Sequence, residues 1–326
     1  MTNGLTAQTT INLKMTQYGY EAIEKGMKLY QQRNPKCTTL PEVALIALEV
    51  RTGEIKVLIG GRDFTSSPYN RATQAKRQPG SAFKPIIYLA ALEAGYRPET
   101  IIKDAPVSYT NPYTGKIWQP RNYDGQYYGD VPMSTALALS LNSATVRLLE
   151  KVGVSNVIAL SKRLHITSNM EPNLSLALGT IEISPIELAA AYATIARGGQ
   201  YIAPTTLKGL LAADGSDLFG RRPADEEIVI SPETASMLIE MMKGTIKYGT
   251  ARRAAGMPYF LAGKTGTTDD SRDAWFIGFS PELLCLVWVG YDKNAFLGRK
   301  ESGATAALPI WMDFMAKALT HYPNED

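Results

Sequence analysis

Ser81 and Lys84 lie three residues apart at what reads as the start of a helix, a spacing that could turn a serine hydroxyl into a nucleophile. The stretch is Gln78-Pro79-Gly80-Ser81-Ala82-Phe83-Lys84-Pro85. Pro79-Gly80 marks a turn, and an apolar run follows from Phe83 through Ile86, Ile87, Leu89 and Leu92. Proline sits in a helix without penalty only in the first turn, where its missing N–H would be unpaired anyway. Pro85 therefore puts the helix start at or just before Ser81, among free N–H groups at the positive end of the helix. Lys84 is one turn on, on the same face. Serine alone is a weak nucleophile and needs a base beside it. A lysine can serve if burial and nearby positive charge lower its pKa. The plainer reading is a capped helix with a solvated lysine, and S-x-x-K alone does not separate the two.

Two further stretches change that balance. Ser140-Leu141-Asn142, the only S-x-N in the chain, falls between two helical segments. Side chains two apart on a helix do not face together, but on a tight connector both could face a cleft. There a serine hydroxyl can relay protons and an asparagine amide can hold a carbonyl. The competing reading is that Asn142 or Ser143 caps the helix that follows. Lys264-Thr265-Gly266-Thr267, the only K-T-G, ends a strand-like run. Gly266 would let a ligand backbone lie close. Lys264, Thr265 and Thr267 offer a positive charge and hydroxyls to a carboxylate, and an exposed strand edge can pair with an extended peptide. The competing reading is a polar turn into the next strand.

The elements that must position these groups can be read from periodicity. Val43–Val50 and Glu54–Gly60 are β-rich and joined by Arg51-Thr52-Gly53, a hairpin signal. Tyr259–Thr267, Asp273–Phe279 and Leu284–Tyr291 read as three late strands. Two early and three late strands with helices between predict an α+β fold. In it, one five-stranded antiparallel sheet flanked by helices is closed by both ends of the chain, and an all-helical lobe adjoins it. Helices are expected from Ser81 to near Gly95, at Ser134–Leu139, at Ser143–Val152, from Ser184-Pro185 to Gly198, from Ser231-Pro232 to about Lys247, and at Pro309–Leu319. Residues 1–40 read as a lead-in linker: Thr9–Leu13 alternates like a strand, and Gln17–Tyr30 carries a helical stripe of Tyr20, Ile23, Met27 and Tyr30. The remaining 41–326 form the functional domain. Residues 104–132 are loop-rich and hold Tyr109, Tyr113, Trp118, Tyr123, Tyr127 and Tyr128, rings expected to pack the loop onto the body.

Composition excludes several classes. The chain has 326 residues, 45% hydrophobic and 20% charged, with a net charge of +3. Nothing in that balance, and no dense Lys/Arg run, argues for nucleic acid. Two cysteines, Cys37 and Cys285, make neither a disulfide framework nor a metal site. His165 and His321 lie far from all three motifs, which argues against a Ser-His-Asp triad and a His-rich zinc site. No apolar run reaches the ~18 residues of a membrane helix.

The set S-x-x-K, S-x-N, K-T-G, in that order, occurs in class A β-lactamases and penicillin-binding proteins with S-D-N as the middle motif. Leu141 in the middle position leans away from the β-lactamase form. The chain resembles the transpeptidase domain of class A penicillin-binding proteins from about Thr9 to Leu319. The resemblance extends to Tyr69-Asn70-Arg71-Ala72, Trp118 with Pro120, Asn122 and Tyr123, Leu178-Gly179-Thr180, Gly249-Thr250-Ala251, Asp273-Ala274-Trp275 and Ala307-Leu308-Pro309. The opening Thr9-Thr10-Ile11 resembles the linker that follows a glycosyltransferase domain in such proteins. The chain is therefore expected to be a piece of a longer, membrane-anchored protein that acts outside the cytoplasm. By itself it would not polymerise glycan, and it would meet the membrane only through the absent N-terminal anchor.

The resemblance implies a serine D-Ala-D-Ala transpeptidase without metal or cofactor. Ser81 would attack a D-Ala-D-Ala donor stem peptide, Lys84 would take its proton, and Lys264, positive and nearby, would keep Lys84 neutral. Ser140 would relay a proton to the leaving D-Ala, Asn142 would orient the substrate amide, and Thr265, Gly266 and Thr267 would receive the carboxylate end. An amine on a second stem peptide would resolve the acyl-enzyme, and β-lactams would acylate the same serine. Three alternatives share the motifs: a β-lactamase using Glu171 in Glu171-Pro172-Asn173-Leu174, a carboxypeptidase with water as acceptor, and a β-lactam sensor that acylates once.

Overall fold

The computed structural model describes residues 4–110, 115, 117–218, 227–268 and 270–322. Tyr113, one of the expected loop-packing rings, lies outside them. Strands β1 (Glu42–Glu49), β2 (Ile55–Ile59), β3 (Ala262–Thr267), β4 (Asp273–Phe279) and β5 (Leu283–Gly290) form a five-stranded antiparallel sheet in the order β3-β4-β5-β1-β2. The late strands meet the early ones at β5 against β1, where Cys285 faces Ala47 and Trp288 faces Ala44. Both ends of the chain thus close one sheet, as the grouping of strands predicts.

The period of two along each strand divides the core. Ala44, Ile46 and Leu48 of β1, with Trp275, Ile277, Leu286 and Trp288, turn to one face. Val43, Leu45 and Ala47, with Phe276, Val287 and Val289, turn to the other. Neither face of the central strands is left wet, which is why they read as continuous apolar runs rather than alternating ones. The second face is covered by α1 (Leu13–Arg33) and α8 (Leu308–Ala318), through Met15, Ile23, Met27, Ile310, Trp311 and Phe314.

The N-terminal reading needs revision. The strand lies at Thr6–Thr9, paired with Leu207–Leu211, and α1 starts earlier than expected, where Asn12 Oδ1 accepts the Met15 N–H at 3.0 Å. Tyr20 leaves the buried stripe and is 43% exposed, because Met15, Gly19, Ala22, Ile23 and Gly26 form the inner face.

The first face carries α2 (Lys84–Glu93), whose residues Lys84–Leu92 are all buried. A helix apolar on every side belongs inside a protein. Around it pack α3 (Met133–Ala138), α4 (Asn142–Val152), α5 (Val154–Arg163), α6 (Pro185–Ala196) and α7 (Pro232–Lys247). The expected Ser184–Glu187 capping box is present at α6, and Ser231 caps α7. The lobe is not purely helical. Two short antiparallel ribbons, Ile101–Asp104 with Gly129–Pro132 and Tyr109–Thr110 with Ile117–Trp118, border it. Ladders of two to four residues leave too little periodicity to be read from sequence. Tyr109 and Trp118 pack on each other at 5.8 Å and against the core, whereas Tyr123, Tyr127 and Tyr128 are exposed.

Candidate active site

Ser81 sits on a short 3₁₀ turn, Gly80–Phe83, that runs directly into α2, with Pro85 in the first turn of the helix. The turn is held from several sides. Trp275 Nε1 donates to Gln78 O at 2.9 Å, and Tyr192 OH donates to Ala82 O at 2.6 Å. Gly80 has φ +54°, and a Cβ there would collide with Thr267 O of β3. Only glycine combines a left-handed backbone with so close an approach. The helix start is thereby pressed against the K-T-G strand.

Ser140 occupies the break between α3 and α4 with φ +59°, an uncommon conformation for a non-glycine residue that often marks functional strain. Asn142 is the first residue of α4, and its side chain does not cap the helix. Instead Lys84 Nζ donates to Asn142 Oδ1 at 2.6 Å and to Ser140 O at 2.7 Å, and lies 3.4 Å from Ser140 Oγ. Lys264 Nζ reaches the same hydroxyl, at 2.8 Å from Ser140 Oγ, and donates to Thr265 O at 3.1 Å. Both lysines are fully buried. Ser140 Oγ thus lies within reach of two amines that are far apart in the chain, one on α2 and one on β3. In front of them opens a cavity of about 650 Å³, lined by Ser81, Ser140, Asn142, Thr265 and Thr267 among others.

Burial holds the Lys264 ammonium down to about 7 from its ordinary 10.5. The expectation that Lys264 is a full positive charge needs correction: near pH 7 it carries about half of one. A lysine with a folded-state pKa below its unfolded value binds fewer protons when folded. Its ionisation therefore opposes folding most strongly below about pH 7, and that opposition fades as pH rises towards 10.5. Lys264→Met is expected to raise the melting temperature, most at pH 6 and progressively less up to pH 10. Melting curves of parent and variant that stay the same distance apart over this range would contradict it.

The family described as the penicillin binding protein transpeptidase domain matches residues 43–307. The chain belongs to this family. Penicillin-binding protein 1A of Aquifex aeolicus is 45% identical over 87% of the chain, and that of Neisseria lactamica is 37% identical over 99%. The chain spans about two fifths of each of these relatives, 39% and 42% of their lengths. Among solved structures, penicillin-binding protein 1A from Haemophilus influenzae superposes with a TM-score of 0.92 at 24% identity, over 99% of this chain and 68% of that one. The PonA1 protein from Mycobacterium tuberculosis in complex with penicillin V superposes with a TM-score of 0.85 at 25% identity, over 100% of this chain and 88% of that one.

In this transpeptidase domain Gly266 does not serve a ligand in the way its lack of a side chain suggests. An added Cβ would meet Pro79 O and lie 2.9 Å from the Ala82 Cβ, so the missing side chain admits the helix start. Thr265 Oγ1 lies 2.6 Å from Thr250 Oγ1, and Thr267 Oγ1 accepts the Gly303 N–H at 3.0 Å. Thr250, Arg121, Asn122, Tyr123 and Ser302, none of them within the three motifs, also line the cavity. Thr250 and Asn122 stand within segments that resemble the family, but no chemistry marks them until the chain folds. Glu171, the candidate base of the β-lactamase alternative, is exposed and is not among the residues that line the cavity. His165 stacks on Tyr201 at 3.7 Å and also lies outside the cavity. Among the described residues no helix is long and apolar enough to cross a membrane, and no group of three or more His, Cys, Asp or Glu could hold a metal ion.

Proposed function

We propose that this chain is a D,D-transpeptidase that cross-links peptidoglycan stem peptides through a Ser81 acyl-enzyme and is acylated by β-lactams. The observation that supports this most is the arrangement of Ser81 on the cavity wall with Lys84 and Lys264 both within reach of Ser140 behind it. Ser81 Oγ attacks the penultimate D-Ala carbonyl and Lys84 Nζ takes its proton. In its neutral form an amine carries one lone pair that can take this proton, and the bonds from Lys84 Nζ to Ser140 O and Asn142 Oδ1 fix where the amine sits. The backbone N–H groups of Ser81 and Thr267 hold the oxyanion, an arrangement typically worth ~10²–10³ in rate for each donor.

The C–N bond to the terminal D-Ala then breaks. Ser140 gives its proton to the departing amine and receives in exchange the one that Lys84 took from Ser81, and the acyl group remains on Ser81 as an ester. The amine of a second stem peptide attacks this ester, forms the cross-linking amide and restores the Ser81 hydroxyl. Asn142 orients the substrate amide, and Thr265 and Thr267 receive the terminal carboxylate, with Gly266 letting their strand lie against the nucleophile turn. In a β-lactam the amide bond that breaks is in the ring, so the leaving group stays tethered and blocks the acceptor.

Residues 41–326 form the catalytic unit, and the 1–40 segment leads into it, its helix packed on the outer face of the sheet. The activity belongs outside the cytoplasmic membrane, with anchoring supplied by sequence beyond this stretch. The test is intact-mass spectrometry after penicillin, followed by turnover of a D-Ala-D-Ala peptide with an amine acceptor. One stoichiometric adduct and acceptor-dependent amide formation are expected. An unmodified chain would refute the reading, and D-Ala release to water alone would make it a carboxypeptidase.

A further inference from the structure

We propose that Asp104 and Asn122 are positioning residues that set Asn142 against Lys84. This rests on the acyl-enzyme reading above. The start of α4 has no cap of its own, since Leu141 at the capping position has no polar side chain. Asn122 supplies one from the loop: its Oδ1 accepts the N–H of Asn142 at 2.6 Å and of Ser143 at 3.3 Å. Its Nδ2 donates to Asp104 Oδ2 at 2.8 Å and to Gln126 O at 2.7 Å. Asp104 Oδ2 also accepts the Tyr128 N–H at 2.9 Å, so one carboxylate oxygen ties both ends of the 122–128 loop.

The adjacent Arg121 O accepts from Asn142 Nδ2 at 2.7 Å, which turns Asn142 Oδ1 towards Lys84 Nζ. Residues 121 and 122 therefore grip Asn142 by its side chain and by its main chain. Asp104 and Asn122 are both buried, and Asp104 Oδ1 has no hydrogen-bond partner among the described residues. A buried donor or acceptor left without its partner is costly, so the Asn122 amide has one favourable orientation, with its oxygen on the helix and its nitrogen on Asp104. The bonds run without a break from Asp104 through Asn122 and Asn142 to the Lys84 amine. Neither Asp104 nor Asn122 takes a proton or forms a bond to substrate in this assignment.

The test follows acylation by a fluorescent penicillin across concentrations, separating the dissociation constant of the first complex from the acylation rate constant. Asn122→Ala and Asp104→Ala are each expected to lower the rate constant roughly 10²-fold, the scale of an ångström of misplacement, with about threefold or less change in the dissociation constant. Asp104→Asn keeps an oxygen for Asn122 Nδ2 and the Tyr128 N–H, and is expected to regain most of that loss. If Asn122→Ala fails to fold, Asn122→Ser, too short to reach both partners, takes its place with the same expectation. Parent-rate acylation in the Asn122 variant, a loss carried wholly by the dissociation constant, or an Asp104→Asn chain as slow as Asp104→Ala would each overturn the assignment. A parent chain that is never acylated overturns the function reading as well, whereas an acylating parent with an unaffected Asn122 variant overturns this inference alone.

Discussion

Ser81→Ala is expected to abolish covalent labelling by a fluorescent penicillin and to leave the chain folded. The hydroxyl is the only part of the residue removed, and Ser81 is itself only half-buried at the cavity wall. What shapes the turn lies elsewhere: Gly80 against Thr267, Trp275 on Gln78 and Tyr192 on Ala82. The alanine chain should therefore still bind the drug reversibly in the same cavity while showing no mass adduct. Ser140 also lines that cavity, so a residual adduct on the variant, mapped by peptide mass, would move the nucleophile to Ser140 or another hydroxyl.

Lys84→Ala has the second largest expected effect, a fall in acylation rate of several orders of magnitude. A positioned general base typically contributes ~10²–10⁴ in rate. Here the amine also holds Ser140 O and Asn142 Oδ1, so its removal takes away base and brace together. The fold should survive, because α2 is buried along Lys84–Leu92 and packs through its apolar residues. Near-ultraviolet circular dichroism matching the parent would establish that, and acylation at the parent rate would make the base assignment wrong. Lys264 is the instructive contrast. Burial alone leaves it about half protonated near pH 7, so it can approach Ser140 Oγ either as donor or as acceptor.

The architecture was readable because its signals are local and strong. β1 and β5 are runs of apolar and β-branched residues, and such runs buried on both faces cannot settle anywhere but mid-sheet. Ser184, Glu187 and Ser231 announce their helices by capping chemistry that works within four residues. The short ribbons at Ile101–Asp104 and Tyr109–Thr110 escaped notice, as did α5, which begins at once after Gly153 with no polar cap. Tyr20 was misplaced because glycines at 19 and 26 carry no hydrophobic signal, yet they are what faces the core.

Local chemistry along the chain marks which residues could act and the kind of element each would occupy: a hydroxyl at a helix start, a serine and an asparagine at a helix break, a lysine on a strand. These follow from proline, glycine and capping rules that operate over a few bonds. What those groups touch is set by long-range packing. It put Lys84 and Lys264 on one hydroxyl, turned Gly266 towards Pro79, left Glu171 outside the cavity, and brought Thr250 and Asn122 into its wall. Hydrogen bonds between residues 15 to 124 positions apart, and the loss of water that lowers the Lys264 pKa, come into being only when the sheet and the helical lobe close on each other.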